Sequence, residues 1–297
     1  MTIAQGLALA KKQLTHSGTP LLDGQILLSH LLGADKTFLF LHGDDDLAPE
    51  KEAEFRALLG RRAAGMPVAY LTGTKEFYGR DFCVTPAVLI PKPDTETLVE
   101  LAVDCCARRL AAHGESPLLI ADVCCGSGCI GISVLAELLQ RFPRADIAAH
   151  CTDISGGALD IAMRNAARLL PESAQIVFFE GDLLAPLIHT GKKYQLILSN
   201  PPYVPSAVTE RLLSDGRSEP RLALDGGSDG LDIIRRLIPQ AAQCIARGGE
   251  VLIESGEYNA AETAALLEKA GFRSVRAHRD LAGMPRVTSA SCEGKRR

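Results

Sequence analysis

The chain has 297 residues, 46% of them hydrophobic, and a formal net charge of −4; it has ample material for a core, suits one large domain or two unequal ones, and lacks the cationic excess of a large nucleic-acid footprint. No run reaches the roughly eighteen apolar residues that span a bilayer, and Met1-Thr2-Ile3-Ala4-Gln5 carries no charged-then-apolar leader, so no membrane partner and a cytoplasmic location are expected. The nine cysteines include Cys83, Cys151 and Cys244 in apolar runs and the adjacent pairs Cys105-Cys106 and Cys124-Cys125, with no Cys-x-x-Cys, so they read as reduced, mostly buried thiols and no metal site is expected.

From Thr2 to about Gly73 the pattern is helical. Leu7, Ala10 and Leu14 share one face, Leu21, Ile26, Leu27, His30 and Leu31 precede a stop at Gly33, and Phe55, Leu58 and Leu59 mark a third helix ending near Gly65-Met66-Pro67. Such a bundle is too small for a catalytic core and well placed to grip a partner. Between Val68 and Ile90 the period shortens to strands, Ala69-Tyr70-Leu71 and Phe82-Cys83-Val84, with turns at Gly73 and Gly79. The expected plan is a helical docking domain at 1–73, a hairpin linker at 74–92 and a larger domain at 93–297. Pro91-Lys92-Pro93 then breaks the chain, and Asp94-Thr95-Glu96-Thr97 opens a helix with Asp94 or Thr95 as its cap. The basic pairs Arg61-Arg62, Arg108-Arg109 and Arg235-Arg236, and the Lys295-Arg296-Arg297 tail, read mostly as solvated faces.

From Leu118 strands and helices alternate: strands at 118–123, 147–151, 176–179, 196–199 and 251–253, with helices at 130–139, 158–170 and 231–245 between them. Alternation of this kind implies an α/β fold with a doubly wound, mostly parallel sheet, whose ligands bind beyond the carboxyl ends of the strands.

Four strand tips carry the candidate chemistry. The first runs into Cys124-Cys125-Gly126-Ser127-Gly128, a turn that admits close approach of a ligand to the backbone. Asp153 ends the second strand, where an acid accepts hydrogen bonds from ribose hydroxyls, and Asp182-Leu183 follows the third, an acid and an apolar side chain suited to the edge and face of adenine. The bland reading of either acid is a helix cap. A dinucleotide needs phosphate space and a full G-x-G-x-x-G; with Cys124 at the first glycine position and acids around the pocket, the cationic sulfonium of S-adenosylmethionine fits better.

The fourth tip is Asn200-Pro201-Pro202-Tyr203. Each proline lacks an N–H and holds the residue before it extended, so the Asn200 side-chain oxygen and the Pro201 carbonyl form a rigid pair of acceptors for a flat NH2 group, with the Tyr203 ring as a face to stack on. Alone, the tetrad also suits a turn that merely ends a buried strand. The acids at the neighbouring tips outweigh that reading.

These residues resemble the protein-(glutamine-N5) methyltransferases of the HemK/PrmC type, class I S-adenosylmethionine-dependent enzymes that methylate the Gln of the Gly-Gly-Gln tip of peptide-chain release factors. The likeness runs over nearly the whole chain: Arg61-Arg62, Glu76-Phe77-Tyr78-Gly79, Ile90-Pro91-Lys92-Pro93-Asp94-Thr95-Glu96, the strand tips, Glu219-Pro220, Asp229-Gly230-Leu231-Asp232, and Asp280-Leu281-Ala282-Gly283 with Arg286. It implies that Asn200, Pro201, Pro202 and Tyr203 bind and orient the glutamine amide. It also implies that Cys124, Cys125, Gly126, Ser127, Gly128, Asp153, Asp182, Leu183 and Asn200 surround the cofactor. A monomer acting on class 1 release factors in translation termination, with no stable nucleic-acid partner, is expected. The chain departs from the family at Cys124, where glycine is usual, and at Lys92, where arginine is usual. Cysteine fits that turn if its φ is negative, and lysine keeps the charge without the planar fork. Ser255-Gly256 after Glu254 is also unusual and is given no function. The alternatives are a glutamine methyltransferase of a ribosomal protein, an adenine-N6 methyltransferase of nucleic acid, which shares Asn-Pro-Pro-Tyr, and a silent cofactor-binding module.

Overall fold

The computed structural model describes residues 1–113, 117–214 and 218–292, so the Lys295-Arg296-Arg297 tail lies outside the described residues. The chain divides into two compact units, Met1–Thr74 with Leu212–Ser218, and Lys75–Arg211 with Glu219–Arg297.

The first unit holds α1 (Ile3–Gln13), α2 (Pro20–Leu32), α3 (Lys36–Leu41), α4 (Pro49–Ala63) and α5 (Val68–Thr72). Helix α1 opens with a capping box in which Thr2 and Gln5 satisfy each other's backbone N–H, and α2 starts on Pro20 and stops at left-handed Gly33. Leu14, Leu27, Leu28, Phe55 and Leu59 form the core. Helices α1 and α2 cross closely because Gly24 has no side chain; a Cβ there would stand 2.5 Å from that of Ala10. Two sequence expectations are corrected. Ala69-Tyr70-Leu71 is helical in α5, not a strand, because Pro67 starts the turn, Gly73 ends it at φ 73° and the Thr72 hydroxyl donates back to the Val68 carbonyl. Arg62 is not a solvated cation: its Nε donates to buried Asp23 at 2.8 Å, and Ser17 and Thr19 donate to the same carboxylate.

The second unit begins with a hairpin, β1 (Thr74–Phe77) and β2 (Arg80–Cys83), which turns at Tyr78-Gly79, a few residues later than the sequence pattern placed its first strand. After a short 3-10 turn (Pro93–Thr95) come α6 (Glu96–His113), β3 (Leu118–Val123), α7 (Cys129–Arg141), β4 (Ile147–Asp153), α8 (Gly156–Leu169), β5 (Gln175–Glu180), α9 (Ala185–Ile188) and β6 (Tyr194–Ser199). The chain continues with α10 (Ser206–Ser214), α11 (Asp232–Cys244), β7 (Ile245–Glu254), α12 (Ala260–Lys269), β8 (Arg273–Arg279) and β9 (Pro285–Ser291). The expected cap at Asp94 or Thr95 is replaced by tertiary bonds: Asp94 pairs with Arg286, and the Thr95 hydroxyl bonds to Glu254 and Asn200.

The seven strands run in the order β5-β4-β3-β6-β7-β9-β8, parallel from β5 to β7 and antiparallel for the last two pairs. The strands β8 and β9 have no counterpart in the sequence reading because Arg273–Arg279 is a mostly exposed, charged edge strand with no apolar run to mark it. From β3 the chain winds outward through β4 to β5 and then returns to pair β6 on the other side of β3. This reversal opens a crevice beyond the carboxyl ends of β3 and β6, the place where doubly wound sheets bind ligands. One core, around Leu98, Ile132, Leu135 and Leu138, packs one face of the sheet, and a second, around Ile234, Leu237 and Ile238, packs the other.

Candidate active site

A cavity of about 380 Å³ occupies that crevice, within the usual range for small-molecule sites. Cys124, Cys125, Gly126, Ser127, Asp153, Asp182, Leu183, Asn200 and Pro202 line it. Of the remaining sequence candidates, Gly128 caps α7, Pro201 is buried and Tyr203 is half-buried; none of these three is part of the cavity wall.

On the side of β3 to β5 the wall is built from backbone. Buried Asp122 accepts the Gly131 N–H at 2.8 Å, which holds the strand against the first turn of α7. A Cβ at Gly131 would stand 2.8 Å from the same carboxylate, so this contact requires glycine. Gly126-x-Gly128-x-x-Gly131 therefore completes the G-x-G-x-x-G spacing that the sequence reading, which counted from Cys124, treated as missing. Gly126 and Gly128 have φ of 54° and 77°. Cys124 has φ of 59°, so the negative value that would let cysteine fit without strain is not met; it holds the left-handed conformation that the usual glycine would adopt freely. Burial and nearby Asp153 push its thiol well above the usual range.

Asp153 accepts the Gly126 N–H at 2.9 Å through one oxygen and the Ser155 N–H at 2.9 Å through the other. Burial raises its carboxyl above the ordinary value against these bonds. A carboxylate oxygen has two lone pairs, so both oxygens keep capacity toward the cavity. The bonds also decide between ligands. The Gly126 N–H that a pyrophosphate would use is already held by an anion, so this turn disfavours phosphate. Beyond β5, Leu183 sits at φ 53° and the Asp182 carboxylate is ion-paired with Arg236, which itself lines the cavity. The Arg235-Arg236 pair is thus tied down rather than simply solvated, with Arg235 bonded to Asp229 and Asp232.

On the side of β6 and β7 the wall is built from side chains. The Asn200 Nδ2 donates to the Thr95 hydroxyl at 3.2 Å, and that hydroxyl donates to Glu254 Oε1 at 3.1 Å. The Tyr203 hydroxyl reaches the same oxygen at 3.4 Å, so its ring is anchored through Glu254. Burial pushes the Glu254 carboxyl up to about 7, the Thr95 bond and Arg286 opposing. Behind the tetrad, Val204 pairs with Leu224 and Gly226, and Asn259 donates to the Tyr203 carbonyl. A Cβ at Gly230 would stand 2.2 Å from that carbonyl, which explains the glycine in Asp229-Gly230-Leu231-Asp232. Lys92 donates to buried Glu219 at 2.6 Å and joins Pro91-Lys92-Pro93 to Glu219-Pro220 at the cavity wall. Arg286 holds Asp280 and Asp94 together at 3.0 and 3.1 Å.

Neither Thr95, which lines the cavity, nor Glu254, which is buried behind it, stands out in the sequence as a site residue. A clue to Thr95 was present in the Asp94-Thr95-Glu96 run, which pointed to a helix cap.

Two family profiles match the chain, the PrmC N-terminal domain at residues 5–73 and the methyltransferase small domain at residues 100–217. The release factor glutamine methyltransferase of Geobacter sulfurreducens is 40% identical over 267 residues, covering 90% of this chain and 87% of that one. The enzyme of the same name from Burkholderia pseudomallei is 38% identical over 290 residues, covering 97% of each. The chain belongs to the release factor glutamine methyltransferase family. A solved structure of T. thermophilus 16S rRNA N2 G1207 methyltransferase in complex with AdoMet and guanosine aligns at a TM-score of 0.50 with 13% identity, over 74% of this chain and 50% of that one, and shares the fold. The fold expected for the family is the one observed: a class I methyltransferase sheet with flanking helices, preceded by a helical region. Membership makes S-adenosylmethionine the cofactor. Asp153, Asp182 and Leu183 line the cavity together with the Cys124–Ser127 turn, whose Gly126 N–H is held by Asp153. No described helix is long and apolar enough to cross a membrane.

Proposed function

We propose that this chain methylates the side-chain amide nitrogen of the glutamine in the Gly-Gly-Gln motif of class 1 peptide-chain release factors, acting as a cytoplasmic monomer without a stable nucleic-acid partner. Family membership supports the release-factor glutamine as substrate. The observation that carries the chemistry is the cavity-lining Asn200 carboxamide, whose Nδ2 gives one N–H to Thr95 and leaves Oδ1 as its acceptor end.

S-adenosylmethionine supplies an electrophilic methyl group. A carboxamide nitrogen is a poor nucleophile because its lone pair is delocalised into the carbonyl. Asn200 Oδ1 and the Pro201 carbonyl accept the two amide protons and fix the nitrogen in place; their dipoles favour the positive charge that grows on it. No general base is needed beforehand, since alkylation acidifies the proton. Tyr203, anchored at Glu254, packs behind the amide and helps keep water out.

Residues 1–73 serve as the docking domain, 74–92 as the linker and 93–297 as the methyltransferase domain. Arg62→Ala would leave the buried Asp23 carboxylate without its cation, held only by the Ser17 and Thr19 hydroxyls, a loss of about 3 kcal/mol to the helical unit. Methylation of intact release factor should then fall while S-adenosylmethionine affinity holds; unchanged methylation would contradict the docking role. The decisive assay offers the enzyme labelled cofactor with purified release factor and, separately, ribosomal proteins, and locates the methyl group by mass spectrometry. Label on the Gly-Gly-Gln glutamine is expected, and label on a ribosomal protein instead would refute the assignment.

A further inference from the structure

The Thr95 hydroxyl stands between two partners, Glu254 Oε1 at 3.1 Å and Asn200 Nδ2 at 3.2 Å. A hydroxyl has one proton and two lone pairs. Glu254 Oε1 also receives the Tyr203 hydroxyl, so toward these two groups the carboxyl acts as an acceptor and takes the single Thr95 proton. Only lone pairs then face Asn200. The carboxamide must present its NH2 group to Thr95, because the flipped amide would set its oxygen against another acceptor. With Nδ2 fixed in this way, Oδ1 is the end left for substrate.

We propose that Thr95 and Glu254 are positioning residues, a two-link relay that locks the amide of Asn200 with its oxygen toward the substrate and so makes the site accept an NH2-bearing side chain. The relay explains why a polar threonine is buried at the end of the Pro91–Thr95 segment and why a carboxyl is tolerated at the tip of β7, where it is 1% exposed. It also places the two residues on different supports. Thr95 comes from the turn before α6 and Glu254 from the strand beside β6, so the orientation of Asn200 is set from outside its own loop. Arg286, the cation beside this carboxyl, is itself bonded to Asp280 and Asp94.

The inference rests on Asn200 as the acceptor for the glutamine amide, and the test separates the two. Steady-state methylation of purified release factor by the full-length chain gives kcat and KM, and calorimetry gives S-adenosylmethionine affinity, for wild type, Asn200→Ala, Thr95→Val, Thr95→Ser, Glu254→Met and the Thr95→Val/Glu254→Met pair. Thr95→Val keeps the shape and removes the hydroxyl; kcat should fall about ten- to hundred-fold, as expected when a reacting group is misplaced, with cofactor affinity within about two-fold. Thr95→Ser, which restores the hydroxyl, should recover most of kcat. The double variant should lose no more than the worse single variant, since both links act through one amide. Wild-type kcat in Thr95→Val, or failure of serine to rescue, overturns the relay while Asn200→Ala remains inactive. Additive losses in the double variant remove Glu254 from it. An active Asn200→Ala would instead overturn the acceptor role on which the relay depends.

Discussion

The two sides of the cavity each rest on one buried carboxyl, and the two carboxyls are used differently. Asp122, under the cofactor turn, accepts a backbone N–H from Gly131; Glu254, under Asn200, accepts side-chain hydroxyls from Thr95 and Tyr203. Burial pushes both up to about 7. In each, one oxygen has no partner among the described residues, Asp122 Oδ1 and Glu254 Oε2. The β3–β5 side is therefore a shaped main chain, with left-handed residues at Cys124, Gly126, Gly128 and Leu183, whereas the β6–β7 side, proposed to hold the substrate amide, is a chain of polar side chains. Backbone geometry suits a large ligand held at many points. A side-chain relay suits one atom that must be aimed.

The sharpest test of that division is Asn200→Ala. If Asn200 serves aiming and not cofactor binding, kcat should fall about 10²- to 10³-fold, the cost of losing a preorganised dipole at a developing charge, while calorimetric cofactor affinity changes only slightly. A comparable loss of affinity would erase the distinction between the two sides.

Stability against pH probes the two carboxyls together. Each binds its proton more tightly folded than unfolded, about 7 against ordinary values of 3.8 for Asp122 and 4.5 for Glu254. The folded state therefore holds more protons in this window, and the stabilisation present below about pH 4 is lost as the pH rises through 7. At 1.36 kcal/mol per unit the loss is on the order of 4 kcal/mol for Asp122 and 3 kcal/mol for Glu254. Urea unfolding at pH 5 and pH 8 should show it. Asp122→Asn should remove its share without changing kcat, and an unaltered pH slope in that variant would show that Asp122 does not titrate there.

Asp153→Ala should act in the opposite sense to Asn200→Ala. It removes the acceptor of the Gly126 and Ser155 N–H groups together with its capacity toward the ribose. A drop of about ten- to hundred-fold in S-adenosylmethionine affinity is expected, from hydrogen bonds to a charged group, with kcat at saturating cofactor nearly kept. A fall in kcat alone would place Asp153 on the wrong side of the comparison.

The smallest effect is expected at Cys124. Replacing it by glycine relieves a left-handed conformation that costs about 1–2 kcal/mol for other residues, partly offset by about 0.5–1 kcal/mol of added backbone freedom in the unfolded chain. Thermal melting should rise by a degree or two, and a fall would mean that the cysteine side chain contributes packing that outweighs its strain.

Local pattern determined much of this protein. The apolar runs at 118–123 and 196–199 read as buried strands, Asp153 and Asp182 followed the runs at 147–151 and 176–179 and so read as strand-tip acids, and Asn200-Pro201-Pro202-Tyr203 held its rigid form because proline constrains its own neighbours. The motifs also named the family that the relatives bear out. Tertiary structure decided what those patterns could not carry. Ala69-Tyr70-Leu71 became helix through its flanking Pro67 and Gly73, and Arg62 turned inward because Asp23, 39 residues away, was buried beside it. Thr95 stands 105 residues from Asn200 and 159 from Glu254, and they meet only because β6 and β7 are neighbours beside the turn that precedes α6. Sequence records the preferences of a residue for its own backbone and for burial; a hydroxyl's choice of partner depends on which strand tips the topology sets side by side.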